Sequence, residues 1–93
     1  MRLVVVYDIS DNGDRQRLAS RLLGLGLTRV QRSAFVGRGG YGHAKDVYRF
    51  IQRYVRGEGD SVIIFVVPDE SFERALVAGR PMAPLAGVAR VVV

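Results

Sequence analysis

Leu3-Val4-Val5-Val6-Tyr7-Asp8 constrains this chain more than any other stretch. Side chains alternate across a strand, so an unbroken β-branched run ending in polar residues reads as a central strand covered on both faces. A second run of the same kind, Ser61–Val67 (SVIIFVV), is stopped by Pro68. Both must share one core, because 93 residues make a single domain. A chain of that size buries roughly two-thirds of its unfolded surface, enough for one core and too little for two lobes with a deep cleft.

Between the two runs the periodicity changes from two to that of a helix. Ser10-Asp11-Asn12-Gly13 is rich in turn and N-cap side chains. Leu18, Ala19, Leu22, Leu23 and Leu25 then follow helical spacing, which predicts an amphipathic helix over about 14–24, stopped at Gly24 and Gly26. Thr28–Val36 alternates loosely and slips near Ser33, the mark of a strand or a bulged pair of short strands. Gly37–Gly42 (GRGGYG) reads as a loop. A second helix over about 43–56 carries Ala44, Val47, Tyr48, Ile51 and Val55 on one face, with Lys45, Arg49, Gln52, Arg53 and Arg56 on another. After Pro68 a short turn leads to a weak strand near Leu76–Ala78, a loop marked by Pro81 and Pro84, and a last β-branched run over 87–93.

This order predicts an α+β ferredoxin-like βαββαβ sandwich, one domain over 1–93, with 80–93 as a tail strand. Such a sheet carries helices on one face only, yet both buried runs are apolar on two faces. A homodimer formed face to face covers the second face, and the tail strand either stays home or joins the partner's sheet edge.

Composition narrows the partners. Hydrophobic residues at 48% and charged residues at 25% exclude a disordered chain. The lack of cysteine excludes disulfides, zinc-thiolate and iron–sulfur sites and a cysteine nucleophile. Too few apolar residues precede Asp8 for a signal peptide, and no run reaches the ~18 apolar residues of a membrane span, so a soluble, cytoplasmic protein is expected. The net charge of +5 is regional: residues 1–56 carry +7 and residues 57–93 carry −2. Thirteen of the fourteen basic residues are arginine, whose guanidinium grips two phosphate oxygens at once. Concentrated positive charge of this type suits a nucleic acid through counterion release.

Asp8 is the sharpest single feature. An acid at the C-terminal end of a buried strand, just before a turn, sits where α/β proteins place ligands, and a carboxylate there suits a hard cation such as Mg²⁺. Asp11 and Asp14 lie near enough to add ligands or, alternatively, to cap the following helix. Arg15, Arg17 and Arg21 lie in that helix, and Arg17 and Arg21 share a face on which like charges repel unless an anion intervenes. Gly37–Gly42 also fits a G-x-G-x-x-G spacing, but the polar preceding strand and the short chain argue against a dinucleotide site. His43 is the sole histidine, and no serine–histidine–acid set exists, so only metal-activated water stays open as a nucleophile.

VVVYDISDNGDRQRLASRLLGLGLTRVQRSAFVG resembles the N-terminal half of the CRISPR-associated Cas-two family. The resemblance is carried by a strand ending Tyr7-Asp8-Ile9-Ser10-Asp11, an arginine-bearing helix, and Gly26-Leu27 ahead of Arg29-Val30-Gln31-Arg32-Ser33-Ala34-Phe35-Val36-Gly37. Asp60-Ser61-Val62-Ile63 and Val77-Ala78-Gly79 continue it in outline. It implies a ferredoxin-like homodimer in which Asp8 from each protomer meets at the two-fold axis and holds Mg²⁺ or a similar divalent cation. Tyr7, Arg15, Arg17, Arg29 and Phe35 match positions the family uses around that site. The family includes metal-dependent nucleases on single-stranded RNA or double-stranded DNA, and dimers that bridge duplex DNA between CRISPR integrase subunits during spacer acquisition. The glycine-rich GRGGYGH departs from the family's usual approach to its second helix. The residues themselves leave another reading open, a non-catalytic ferredoxin-like regulatory or interaction module.

Overall fold

The computed structural model describes residues 1–88. In chain order they form β1 (Arg2–Asp8), α1 (Asn12–Gly24), β2 (Thr28–Gln31), β3 (Ala34–Arg38), α2 (Tyr41–Ile51), β4 (Ser61–Val67) and a short α3 (Asp69–Glu73). The sheet runs β2-β3-β1-β4 with every neighbouring pair antiparallel. Two βαβ halves interleaved this way are the ferredoxin-like sandwich that the sequence pattern predicts. Among the described residues no helix is long and apolar enough to cross a membrane.

Local chemistry sets the boundaries. Asp11 is the N-cap of α1, its side chain accepting from the Asp14 N–H at 2.8 Å, so the helix begins at Asn12 rather than near residue 14. The slip near Ser33 resolves into two strands, with an irregular register between Arg29 and Gln31. Gly37 and Arg38 belong to β3, because Leu3 and Arg2 pair with them, and the glycine loop shrinks to Gly39-Gly40. Gly39 has φ +143°, and a Cβ there would lie 2.6 Å from the His43 ring, so this position needs glycine. α2 therefore starts at Tyr41, and beyond Ile51 it tightens into a 3₁₀ turn, Gln52–Tyr54, instead of running on to residue 56. The turn expected after Pro68 is the helix α3. The weak strand near Leu76–Ala78 is reduced to a single bridge residue, Ala78, because Gly79 at φ +81° and Pro81, which has no N–H, interrupt any ladder. Of the last β-branched run, expected over 87–93, residues 89–93 lie outside the described residues.

The two faces of the sheet differ. Leu3, Val5 and Tyr7 point toward the helices and pack with Leu18, Leu22, Phe35, Val47 and Ile51, all buried. Tyr48, on the flank of the α2 stripe, is half exposed. Val4, Val6 and Asp8 project to the other face, since successive side chains alternate. Cross-strand pairing aligns Phe65, Val4 and Val36 in one row, Ile63, Val6 and Ala34 in the next, and Ser61 with Asp8 at the end. The chain's own α3 and residues 75–85 cover the β2–β3 half of this outer face, where Val30, Ala34 and Phe72 are buried and the Met82 N–H donates to the Val30 carbonyl at 2.8 Å. The β4 half stays open, with Ile63 50% and Phe65 51% exposed.

Candidate nucleic-acid interface and metal centre

Asp8 closes β1 on the open outer face. Its side chain is exposed and takes part in no ion pair or hydrogen bond among the described residues. Its backbone surroundings are fixed on both flanks: the Tyr7 N–H donates to the Ser33 carbonyl at 3.1 Å, and Ser61 of β4 stands opposite Asp8. Beyond it Ile9 is buried, which turns the chain back toward the core before α1.

Three arginines surround this end of the sheet. Arg15, in the first turn of α1, donates from Nη1 to the Ile9 carbonyl at 3.0 Å and from Nη2 to the Asn12 side chain. Arg29 donates from Nε and Nη2 to the Arg32 carbonyl at 3.1 and 2.6 Å, with its Cζ 5.6 Å from the centre of the Phe35 ring. The Tyr7 hydroxyl donates to the same carbonyl at 3.4 Å, and the Tyr7 and Phe35 rings stack with centroids 6.2 Å apart. Tyr7, Arg29 and Phe35 thus form one cluster on the β2–β3 turn. Burial raises the Tyr7 phenol above its ordinary value, against the pull of Arg29 and Arg15. Arg32 itself is exposed. Among the described residues Arg15, Arg29 and Arg32 have no carboxylate within salt-bridge range. Carbonyls and amides orient a guanidinium without cancelling its charge, so this end keeps a positive potential.

Arg17 is placed differently. Its Nη2 lies 2.9 Å from Asp14 Oδ1 and 4.0 Å from Asp11 Oδ2. Arg56, from the loop after the 3₁₀ turn, donates to the same Asp14 from Nε at 3.1 Å and from Nη2 at 3.0 Å. Asp14 is buried, and these arginines, Arg17 foremost, hold its carboxyl below the usual carboxylate range. Asp14 offsets the charge of Arg17 but not that of Arg21, which rests its Cζ 4.6 Å from the Phe50 ring centre. The signal for Asp14 was its position three residues before Arg17. Nothing in the local pattern marks Arg56, or Asp60, whose carboxylate accepts from the Ser10 N–H and hydroxyl.

A free carboxylate on an exposed strand end fits one position on a hard divalent cation, whose remaining ligands are oxygens and water. Among the described residues no group of three or more histidines, cysteines, aspartates or glutamates converges in a way that could hold a metal ion.

The residue pattern of the family described as CRISPR associated protein Cas2 matches residues 1–75 of this chain. The chain belongs to the CRISPR-associated Cas2 family. The CRISPR-associated endoribonuclease Cas2 of Aeropyrum pernix is 36% identical over 73 residues, which span 78% of this chain and 79% of that protein. A CRISPR-associated endonuclease Cas1/endonuclease Cas2 fusion from Thermoproteus tenax is 38% identical over 84 residues, 89% of this chain and 32% of the fusion. A crystal structure of Cas2 superimposes with a TM-score of 0.68 at 29% identity, covering 96% of this chain and 98% of that one. Family membership explains why the resemblance was strongest through Asp8, α1 and the β2–β3 pair, the segments that assemble this end of the sheet.

Proposed function

We propose that two copies of this chain form a nucleic-acid-binding dimer with an Asp8 pair at its centre, and that the dimer is a divalent-cation-dependent phosphodiesterase of the cytoplasm, serving CRISPR antiviral defence. One observation carries the reading: Asp8 keeps its carboxylate unpaired among the described residues on the open outer face, at the end of the sheet where Arg15, Arg29 and Arg32 also pair with no acid among the described residues. The exposed Ile63 and Phe65 supply the apolar surface for a face-to-face dimer, and Asp8 projects from the same face, so a two-fold axis near β1 brings two carboxylates together. The endoribonuclease name of the Aeropyrum pernix relative supports cleavage of RNA, and the Cas1 half of the Thermoproteus tenax fusion supports an integrase subunit as partner in spacer acquisition.

The two Asp8 carboxylates would hold Mg²⁺ or a similar cation, which when bound supplies Lewis-acid chemistry toward a phosphate and its attacking water. Arg15 and Arg29 would grip nonbridging phosphate oxygens, and their existing hydrogen bonds hold the guanidiniums in place at little further entropy cost. Phe35 and Tyr7 support the Arg29 plane from below. Arg17, tied to Asp14, contributes to the binding surface mainly through its long-range field.

Gel shifts with short duplex DNA and with single-stranded RNA at two salt concentrations test the binding half, which predicts a steep loss of affinity as salt rises. Binding that ignores salt contradicts it and favours an interaction module. Cleavage of labelled RNA and DNA with Mg²⁺ tests the other half, with Asp8→Asn as control. Activity that survives Asp8→Asn contradicts it.

A further inference from the structure

We infer that Asp60 is a positioning residue for Asp8, a proposal that rests on the reading of Asp8 as the metal-binding carboxylate. Asp8 is the last residue of β1, and a strand end beside an edge strand is where a ladder opens first. Yet the turn that follows is clamped. Asp60 Oδ1 accepts from both the Ser10 N–H and the Ser10 hydroxyl at 2.9 Å. Asp60 Oδ2 accepts from the Gly57 N–H at 2.9 Å, and the Asp60 N–H donates to the Gly57 carbonyl at 3.0 Å. One carboxylate therefore ties the residue two beyond Asp8 to the loop that launches β4, whose first residue, Ser61, stands opposite Asp8.

Both oxygens of Asp60 face N–H or O–H donors, so it is built as a clamp and not as a second metal ligand. Gly57 is shaped to the same purpose, because a Cβ there would lie 2.8 Å from Asp60 Oδ2. With Ile9 buried and its carbonyl held by Arg15, the backbone on the C-terminal side of Asp8 is pinned at two successive residues. Metal ligands need placement to within about half an ångström, and partners behind a ligand commonly set its affinity.

The test is Mn²⁺ affinity of the dimer, read by electron paramagnetic resonance, together with amide hydrogen exchange at Ser10. Asp60→Ala is expected to weaken Mn²⁺ binding about tenfold and to speed exchange at Ser10. Ser10→Ala, which removes one of the two bonds to Oδ1, is expected to weaken it about threefold and serves if Asp60→Ala does not fold. Gly57→Ala, which displaces the carboxylate without removing it, is expected to fall between them. Wild-type Mn²⁺ affinity in a folded Asp60→Ala or Ser10→Ala variant, whatever the change in Tm, overturns the proposal and leaves the role of Asp8 standing. Mn²⁺ affinity unchanged in Asp8→Asn overturns the metal reading of Asp8, and this proposal with it.

Discussion

Asp8 and Asp14 are six residues apart on either side of one turn, and the fold uses them in opposite ways. Asp14 is buried, and Arg17 and Arg56 consume its charge. Asp8 is exposed and unpaired among the described residues, while the nearby Arg15 and Arg29 are steadied by carbonyls that leave their charge intact. The first arrangement holds α1 to the loop that follows α2 and its 3₁₀ turn. The second leaves a carboxylate and its cations available to a ligand. What separates the structural acid from the one proposed to be functional is whether its neighbours satisfy it.

The contrast breaks most visibly in activity. Asp8→Asn is expected to lower divalent-cation-dependent cleavage by at least about a hundredfold, with Tm unchanged, since an exposed group without partners contributes little to stability. Asp14→Asn is expected to do the reverse, lowering Tm while the cleavage rate per folded molecule stays near that of the wild type. Thermal melts and single-turnover assays on the two variants check both. Equal Tm values would erase the distinction.

The arginines sharpen it next. Arg29→Ala is expected to weaken nucleic-acid binding by about tenfold, the value of one charge-assisted contact, and to reduce the salt slope by about one. Arg17→Ala should cost less than about threefold, because Asp14 already offsets that charge and the loss is one of long-range field. Titrations at several salt concentrations measure both effects.

Acid stability is the smallest of these effects. Asp14 has its carboxyl lowered in the folded chain, through the Arg17 hydrogen bond first, so its contribution is present above roughly pH 4 and is lost as pH falls through the lowered value. Asp14→Asn should therefore flatten the fall of Tm below pH 4. Asp60 and Asp69 are also held low, Asp60 chiefly by the Ser10 backbone N–H and Asp69 by the terminal amine, so the acid limb shrinks without vanishing.

Much of this end of the sheet was legible from local pattern. Period-two alternation in β1 places Asp8 on the face opposite Tyr7, and the two-sided apolar runs announce an outer face that needs cover. The chain itself supplies half of that cover through α3 and residues 75–85, which alternation in β1 and β4 cannot reveal. The clamps were not legible either. Arg56 reaches Asp14 across 42 residues, and Asp60 reaches Ser10 across 50, and no periodicity records a contact between segments so far apart. The glycine-rich stretch misled for a related reason: glycines suggest a loop until pairing with Leu3 and Arg2 draws Gly37 and Arg38 into β3.

The central claim is that the unpaired Asp8 carboxylates of two copies hold one divalent cation. A Mn²⁺ titration of the purified protein, with its oligomeric state fixed by light scattering in the same samples, tests it most directly. The account predicts one ion per two chains in the wild type and loss of that ion in Asp8→Asn, with the dimer preserved. Tight binding that persists in Asp8→Asn, or one ion on each monomer, would contradict it.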